Sequence, residues 1–427
     1  MLSTATHGSE ALGQLLKHLS NSSDGKIISM EINLMSRLTM KMKLALGIAG
    51  ALMAGGNAHA QDYFDAYDGY ASDYSAAYDA VEPDADPDGP WSLFAFDNLN
   101  VGGWFQGGYH SESNDLFNSQ PEEFNLHQGW LFVERVAEAQ NGRLGFGFRF
   151  DGMYGIDAND TQSFGNNPGE FDLDDSFQRG GGYGFAIPQL YGEVAGDNWS
   201  VKIGHFYTLI GYEVVTAPDN FFYSHAITMY NSEPFTHTGA IGTFNVSDDT
   251  TIYAGWTAGW DTGFDQFGNG SNFLGGISTA LSDATTMTYI TTIGDFGARG
   301  SDAYSHSFVF DTQVSDNFNW VVQSDLLRVQ ETGEDNVGLN QYFLYDINDR
   351  LAAGVRAEWW KGDTLTGYAP HGGVLPAEGS HSYYDVTFGL NIKPSQNLII
   401  RPEYRYDWSP ALDYEQGYFG MDIIALY

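Results

Sequence analysis

The sequence contains no cysteine among its 427 residues. Disulfide frameworks and thiolate metal sites are therefore excluded. Basic residues are also scarce, with 18 Lys and Arg against 55 Asp and Glu, and the formal net charge is −37. Because nucleic-acid binding depends on clusters of basic side chains that neutralise phosphates, this balance argues against a nucleic-acid partner.

Long hydrophobic runs are missing after the first 60 residues. The one extended apolar run, residues 44–54, follows three basic residues and precedes Ala58-His59-Ala60. A basic start, a short apolar core and an A-x-A motif predict a secretory signal peptide cleaved after Ala60, and the core is too short to span a bilayer as a helix. The leader, residues 1–60, is unusually long and partly acidic, so we expect translation to begin at one of three internal methionines: Met35, Met40 or Met42.

The stretch after the leader, residues 61–96, has a strongly biased composition. Asp and Tyr recur throughout it, and it contains no Lys or Arg. Because like charges repel and no apolar face repeats, the sequence predicts a disordered periplasmic tether here. The alternative is a periplasmic arm that binds a basic partner or the cell wall.

From residue 97 to the end, apolar and polar side chains alternate along the chain. Within residues 398–408, the even-numbered positions are apolar or aromatic, and the odd-numbered positions carry Arg401, Glu403, Arg405 and Asp407. We call each such set of alternate positions, which shares one face of a strand, a parity. A period of two is typical of β-strands, and repeated charge on one parity favours a wet lumen inside an apolar, lipid-facing wall. The fold class is therefore predicted to be all-β, a transmembrane antiparallel β-barrel over residues 97–427. A soluble two-sheet sandwich is the alternative.

The connections between predicted strands alternate in length. Seven short turns rich in Asn, Asp, Gly and Ser separate eight longer polar connections, which predicts sixteen strands. This alternation is typical of barrels with short periplasmic turns and longer extracellular loops. The short turns are predicted at Asn141-Gly142, Asp197-Asn198, Asp248-Asp249, Asp283-Ala284, Asp316-Asn317, Asn348-Asp349 and Ser395-Gln396, and the longer connections at 112–124, 155–182, 209–235, 262–271, 297–302, 331–336, 362–380 and 409–416.

A set of motifs lies in order along the predicted barrel. They are Tyr154-Gly155-Ile156-Asp157-Ala158, Gly204-His205-Phe206-Tyr207, Gly211-Tyr212-Glu213-Val214-Val215, Phe222-Tyr223-Ser224, His237-Thr238-Gly239, Gly259-Trp260-Asp261 and Arg401-Pro402-Glu403-Tyr404-Arg405-Tyr406-Asp407. The set resembles the OmpL-like family of outer-membrane β-barrel porins, from about residue 97 to the end. This resemblance implies a barrel and a pore in the outer membrane, without a defined substrate. Two departures from the family pattern, Ile156 and His205, leave solute preference open.

Charged residues on the lumenal parity form the candidate pore lining. Neighbouring strands lie about 4.8 Å apart, so charges on strands thirteen, fourteen and fifteen would form one continuous patch. Either these charges pair with one another and shape the wall, or unpaired guanidinium groups project into the pore and create a local electrostatic field. The predicted pore-lining residues are Arg149, Asp151, Arg356, Glu358, Asp385, Arg401, Glu403, Arg405 and Asp407.

The third long connection, residues 209–235, is a candidate constriction loop. It follows strand five, which lies across a sixteen-stranded barrel from strands thirteen and fourteen. If the loop folds inward, its carboxylates Glu213, Asp219 and Glu233 would face the arginines of the opposite wall. Such a transverse field orients polar solutes and rejects apolar ones. The alternative is a loop packed on the outer rim.

Motifs for other chemistry are weak. Six acidic side chains and Asn159 cluster within residues 155–182, but their spacing fits no calcium-binding loop, and a solvated acidic loop is expected instead. The H-E-x-x-H and G-x-S-x-G motifs are absent from the sequence. We therefore expect no catalytic residue, no bound metal and no cofactor.

The function predicted from the sequence is passive diffusion of small hydrophilic solutes and ions through an outer-membrane porin. The acidity of the chain favours cations, whereas the inferred lumen carries arginines, so ion selectivity stays open. A plugged outer-membrane anchor or adhesive protein with acidic interaction loops is the alternative function. Outer-membrane lipid is the expected partner, and the sequence leaves open whether the barrels assemble into homotrimers.

We predict that export removes residues 1–60, so that the mature chain begins at Gln61. The small residues at positions −3 and −1 fit the signal peptidase, and Ala60→Tyr is expected to block cleavage there. N-terminal sequencing of the protein recovered from outer membranes checks the first expectation, and retention of the precursor checks the second. A mature N-terminus elsewhere would show that Ala58-His59-Ala60 is not the cleavage motif.

Overall fold

The computed structural model describes residues 94–96, 99–139, 142–164, 182–363 and 380–427. The predicted leader, and the predicted tether up to residue 93, lie outside these residues, so both stay predictions. Within the described part of the chain, every helix is too short or too polar to cross a membrane.

Sixteen antiparallel strands form a closed barrel, as the sequence predicts. Each strand pairs with the next along the chain, and the last pairs with the first. A three-residue strand, β1 (Phe94–Phe96), precedes the barrel and pairs with its first strand. The barrel strands are β2 (Leu99–His110), β3 (Phe124–Arg135), β4 (Gly145–Gly155), β5 (Gly184–Ala195), β6 (Trp199–Tyr207), β7 (Thr236–Ser247), β8 (Thr250–Thr257), β9 (Ser271–Ser282), β10 (Thr285–Asp295), β11 (Ala303–Ser315), β12 (Phe318–Val329), β13 (Glu334–Asn348), β14 (Leu351–Asp363), β15 (Ser380–Ser395), β16 (Leu398–Ser409) and β17 (Tyr414–Leu426).

Short turns and longer connections alternate around the barrel. Six turns, from β5–β6 to β15–β16, contain two or three residues each, and the seventh predicted turn includes Asn141, which is not described. Two longer connections, 330–333 and 410–413, are shorter than predicted because strand pairing extends to Glu334 and Tyr414. The other connections carry two short α-helices, α1 (Ala158–Thr161) and α2 (Ile227–Ser232), and the 3-10 helices Ala217–Asp219, Phe267–Asn269 and Gly297–Arg299.

The period of two places apolar side chains outside the barrel and polar side chains inside. On β14, Arg356 and Glu358 are buried inside, while Val355 and Ala357 occupy the outer parity. A soluble protein has the opposite arrangement, with apolar side chains inside. The apolar outer surface of this barrel is explained by a wall that faces lipid. Large apolar side chains exposed on the outer surface include Phe105, Phe146, Ile203, Trp256 and Tyr404.

The end of the chain seals the junction between the last strand and the first. Gly103 and Tyr427 exchange two backbone hydrogen bonds of 2.9 Å each, and the Tyr427 hydroxyl donates to the Trp130 carbonyl at 2.6 Å. A Cβ at Gly103 would lie 2.0 Å from that same carbonyl oxygen. The close approach of β2 and β3 at the closing seam therefore requires glycine at this position.

We predict that Val355→Arg lowers the free energy of unfolding by about 2–4 kcal/mol, because it places a charge on the lipid face midway along β14. The matched control is Leu351→Arg, at the periplasmic end of the same outer parity. It is expected to cost only about 0–1 kcal/mol. Urea unfolding of barrels in lipid vesicles, followed by tryptophan fluorescence, measures both, and equal costs would contradict the assigned outer face.

Candidate functional site

The connection between β6 and β7 lies inside the barrel. We call residues 208–235 the inner loop, and each of its residues is buried or half-buried. Its apolar side chains Val215 and Met229 pack in one cluster with Trp104 and Trp130 of the barrel wall, whose rings stack 4.6 Å apart. The inner loop therefore lies within the lumen and not on the outer rim.

Arg356 on β14 joins the wall to the inner loop. Its Nη1 donates to Glu213 at 2.8 Å and to the Ser224 carbonyl at 2.7 Å, and its Nε donates to Asp385 at 2.8 Å. A fully buried guanidinium is costly to desolvate, and the two carboxylates compensate for that cost. Burial alone would raise the pKa of Glu213, but the Arg356 guanidinium lowers this pKa to about 2. The Glu213 carboxylate therefore stays ionised in contact with the wall.

Arg401 on β16 binds the backbone of the inner loop. Its Nη1 donates to three carbonyl oxygens, those of Ala217, Asn220 and Phe222, at 2.8, 2.6 and 3.1 Å. Its Nε donates to Asp422 on β17 at 3.0 Å. One guanidinium thus orders the turn around the 3-10 helix Ala217–Asp219 and is itself neutralised by a neighbouring strand.

Arg405, four residues further along β16, makes a similar connection. Its Nε lies 2.6 Å from Asp407 and 3.4 Å from Asp385, and its Nη1 donates to the carbonyl of His225 in the inner loop. The predicted charged patch on strands thirteen to fifteen is therefore continuous across β14, β15 and β16. In the structure its arginines contact both wall carboxylates and the loop.

Two wall glutamates bind the backbone N–H groups of the same loop. Glu403 accepts from the N–H groups of Tyr223 and Ser224 at 2.9 and 3.1 Å. Glu358 accepts from the N–H groups of Ile227 and Thr228, in the first turn of α2, at 2.7 and 2.6 Å. Wall arginines thus bind loop carbonyls and wall glutamates bind loop N–H groups. These bonds provide partners for a backbone that is shielded from water.

The remaining predicted site residues occupy three separate places. Arg149 and Asp151 pair with each other on β4 at 2.7 Å. Asp219 lies in the 3-10 helix of the inner loop, where burial raises its pKa. Glu233 accepts a hydrogen bond of 2.5 Å from Gln323 on β12. The three predicted loop carboxylates therefore reach different parts of the barrel and do not all face the arginines.

Contacts with β3 were not predicted from the sequence. Gln128 donates to the Val215 carbonyl at 2.7 Å and accepts from the Ala217 N–H at 3.0 Å. The Tyr223 hydroxyl lies 2.5 Å from the His127 ring. The sequence places Gln128 on the same face of β3 as Trp130, which is the one feature that could have predicted a lumenal position. An uncharged amide, however, carries no local feature that predicts a contact with the loop.

The wall formed by β8 to β12 has a different character. The inner loop meets it through Ile210, which packs in one cluster with Leu274 of β9 and Ile290 of β10, and through hydrogen bonds to Gln323 of β12. The other buried side chains on its lumenal parity are apolar groups, such as Val309 and Val321, or uncharged hydroxyl and amide groups. The hydroxyl and amide side chains include Thr257, Asn272, Ser278, Thr292, Ser305, Ser307 and Asn319.

Carboxylates outnumber guanidinium groups among the buried residues that the structure describes. Each of the four buried arginines has a carboxylate oxygen within 2.8 Å: Arg149 at Asp151, Arg356 at Glu213, Arg401 at Asp422 and Arg405 at Asp407. Further buried carboxylates are Glu134, Asp157, Glu233, Asp325, Glu334, Asp346, Glu358, Asp385 and Glu403.

The described residues contain no group of three or more histidine and acidic side chains that could hold a metal ion. Part of the acidic cluster predicted in connection 155–182, residues 165–181, lies outside them.

We predict that Arg356→Met lowers the free energy of unfolding by about 3–5 kcal/mol, since it leaves Glu213 and Asp385 buried without their guanidinium partner. Arg328→Met is the control, because the Arg328–Asp335 pair is 56% exposed on both sides and its loss is expected to cost about 0–1 kcal/mol. Chemical unfolding of the two variants in the same vesicles compares the costs. An equal, small effect would mean that Arg356 does not anchor the loop.

The family comparison extends over most of the chain. The sequence matches the family described as beta-barrel porin-2, OmpL-like over residues 98–421. None of the curated protein sequences matches it.

Solved structures share the barrel at low sequence identity. The outer membrane channel DcaP of Acinetobacter baumannii is 12% identical, with a TM-score of 0.53, and the match covers 79% of this chain and 99% of that one. An anion-selective porin from Comamonas acidovorans is 9% identical, with a TM-score of 0.52 and coverage of 77% and 99%. These likenesses show the shared fold. Together with its sixteen-stranded closed barrel, the match over residues 98–421 shows that the chain belongs to the OmpL-like beta-barrel porin-2 family and is an integral outer-membrane protein.

Proposed function

We propose that this porin passes small hydrophilic solutes and ions, with a preference for cations, between the inner loop and the wall formed by β8 to β12. Passive diffusion needs a polar surface that exchanges hydrogen bonds with water without binding solutes tightly. The hydroxyl and amide side chains of that wall supply such a surface. The opposite wall is occupied by the bonds that hold the loop.

The charge balance of the lumen supports the preference for cations. Each buried arginine is neutralised by a carboxylate at hydrogen-bond distance, and additional carboxylates remain. Exposed acidic residues also surround the extracellular connections, among them Glu112, Glu122 and Glu331. Clefts lined by one sign of charge concentrate counter-ions and raise their rate of entry. The net field is therefore expected to attract cations despite the lumenal arginines.

The inner loop is proposed to set the cross-section of the pore. The single observation that carries this proposal is its enclosure, since every residue along 208–235 is buried or half-buried. Its contacts with β14, β15 and β16 are ionic or charge-assisted, whereas it meets the opposite wall through the apolar side chain of Ile210 and through Gln323 of β12. The loop is therefore held mainly by β14 to β16, and solutes are proposed to pass on the other side.

A plugged outer-membrane anchor is the second candidate function. The same enclosure of the inner loop favours it, because a loop that fills the lumen would block solutes. The two functions differ in one property, which is whether a folded barrel conducts ions at all.

We predict stepwise, long-lived openings when refolded residues 61–427 are inserted into planar bilayers. Under a potassium chloride gradient, the reversal potential is expected to have the sign of a cation-selective pore, because carboxylates exceed guanidinium groups in the lumen. Heat-modifiable mobility in gels establishes that the barrel is folded before insertion. A folded barrel without conductance would support the plugged anchor, and an anion-selective reversal potential would contradict the proposed field.

A further inference from the structure

Two buried carboxyl groups meet where the inner loop contacts β12. Glu233 belongs to the returning end of the loop, and Asp325 belongs to the wall. The amide nitrogen of Gln323 donates to both, at 2.5 Å to Glu233 and over a shorter contact to Asp325. Glu233 is only 4% exposed and Asp325 only 2%. The pair is therefore held together in a site that is shielded from water.

The groups that face this pair are acidic or neutral. Glu233 faces Asp325 and Gln323 from β12, Glu213 within the loop, and Glu358 from β14. Asp325 also faces Ser307 from β11. None of these neighbours is basic, whereas Arg356, the nearest guanidinium on β14, is bound to Glu213 and Asp385.

Two ionised carboxylates cannot share a dry site without a large electrostatic cost, so such a pair retains a proton. Burial, followed by the charge of Asp325, raises the pKa of Glu233 well above its usual value. The proton is therefore released at a higher pH than an exposed carboxyl group would require. Below that pH, a shared proton allows the two groups to remain in contact.

Both ends of the inner loop contact this site. The Gln323 amide oxygen accepts from the Tyr212 N–H at 3.1 Å, while its nitrogen binds Glu233. Gly211, with a φ of 92°, approaches Glu233 so closely that a Cβ would lie 1.9 Å from the carboxylate. Apart from the backbone hydrogen bond of 3.0 Å between Thr208 and Phe235, the outgoing and returning ends of the loop are therefore joined through the Gln323 amide of β12.

We propose that Glu233 and Asp325 form a proton-controlled latch that holds the inner loop on β12 and opens when both groups ionise. Repulsion between the two carboxylates then moves the ends of the loop away from β12 and widens the path along β8 to β12. This inference rests on the proposed porin function and adds its regulation. The arginine contacts on β14 and β16 keep their charges over the same pH range, so they retain the middle of the loop.

The sign of the pH effect follows from proton binding. The closed state binds the shared proton more tightly than the open state, so raising the pH favours opening. The ratio of open to closed channels changes by up to about tenfold for each pH unit over which the pair titrates. Conductance should therefore be low in acid and rise toward alkaline pH.

Planar-bilayer recordings of refolded residues 61–427, from about pH 4 to pH 9, test the latch. The wild-type conductance is expected to rise with pH. In Glu233→Gln and Asp325→Asn, an amide donates to the remaining carboxylate at every pH, so conductance should stay at the acid level. The two variants change opposite sides of the same contact, and either one that folds is sufficient for the comparison.

A control variant separates the latch from general effects of charge. Asp311→Asn removes a lumenal carboxylate on β11, where Asp311 accepts a hydrogen bond from Asn319 at 2.8 Å, and should keep the wild-type pH profile.

The outcomes are distinct. If the protein conducts ions but its conductance is independent of pH, or falls as the pH rises, the latch is overturned and the porin function is left intact. Loss of the pH response in Asp311→Asn would also overturn it. Absence of conductance at every pH from a folded barrel would instead refute the porin function on which the latch rests.

Discussion

The backbone of the inner loop needs hydrogen-bond partners inside the barrel, and this requirement determines how the lumen is built. Buried N–H and C=O groups without partners cost about as much as lost hydrogen bonds. Here Arg401 binds three loop carbonyls, and Glu403 and Glu358 each bind two loop N–H groups. These wall side chains recognise main-chain atoms, so the path of the loop depends on the charged wall more than on the identity of most loop side chains.

The arginines themselves depend on neighbouring carboxylates, which divides the lumen into two parts. Arg356 and Arg401 would be costly to bury alone, but Asp385 and Asp422 lie at hydrogen-bond distance on adjacent strands. The wall of β14 to β17 is consequently a structural surface that holds the loop. The wall of β8 to β12 carries hydroxyl, amide and apolar side chains with fewer charges, and the proposed solute path follows it. One asymmetric set of charges thus explains where the loop docks.

Much of the fold follows from local sequence pattern, because apolar and polar side chains alternate within each strand independently of the other strands. The parity of residues 398–408 was sufficient to place Arg401 and Arg405 on the lumenal face, and short turns between strands were sufficient to predict sixteen strands. Strand ends were less certain, since pairing extends β13 to Glu334, where sequence composition predicts a loop. Turn-forming residues mark where a reversal is favourable, whereas the neighbouring strand decides how far pairing continues.

By itself, the sequence determined the barrel class, the strand order and which charged residues share the lumenal parity, since these depend on alternation between neighbours along the chain. Only the tertiary structure decided which charges meet. Glu213 and Arg356 are 143 positions apart in sequence but form a contact of 2.8 Å, and Gln323 binds both ends of a loop from the far side of the barrel. No local pattern encodes such pairs, because they arise only after barrel closure brings distant strands around an enclosed loop whose backbone must be satisfied.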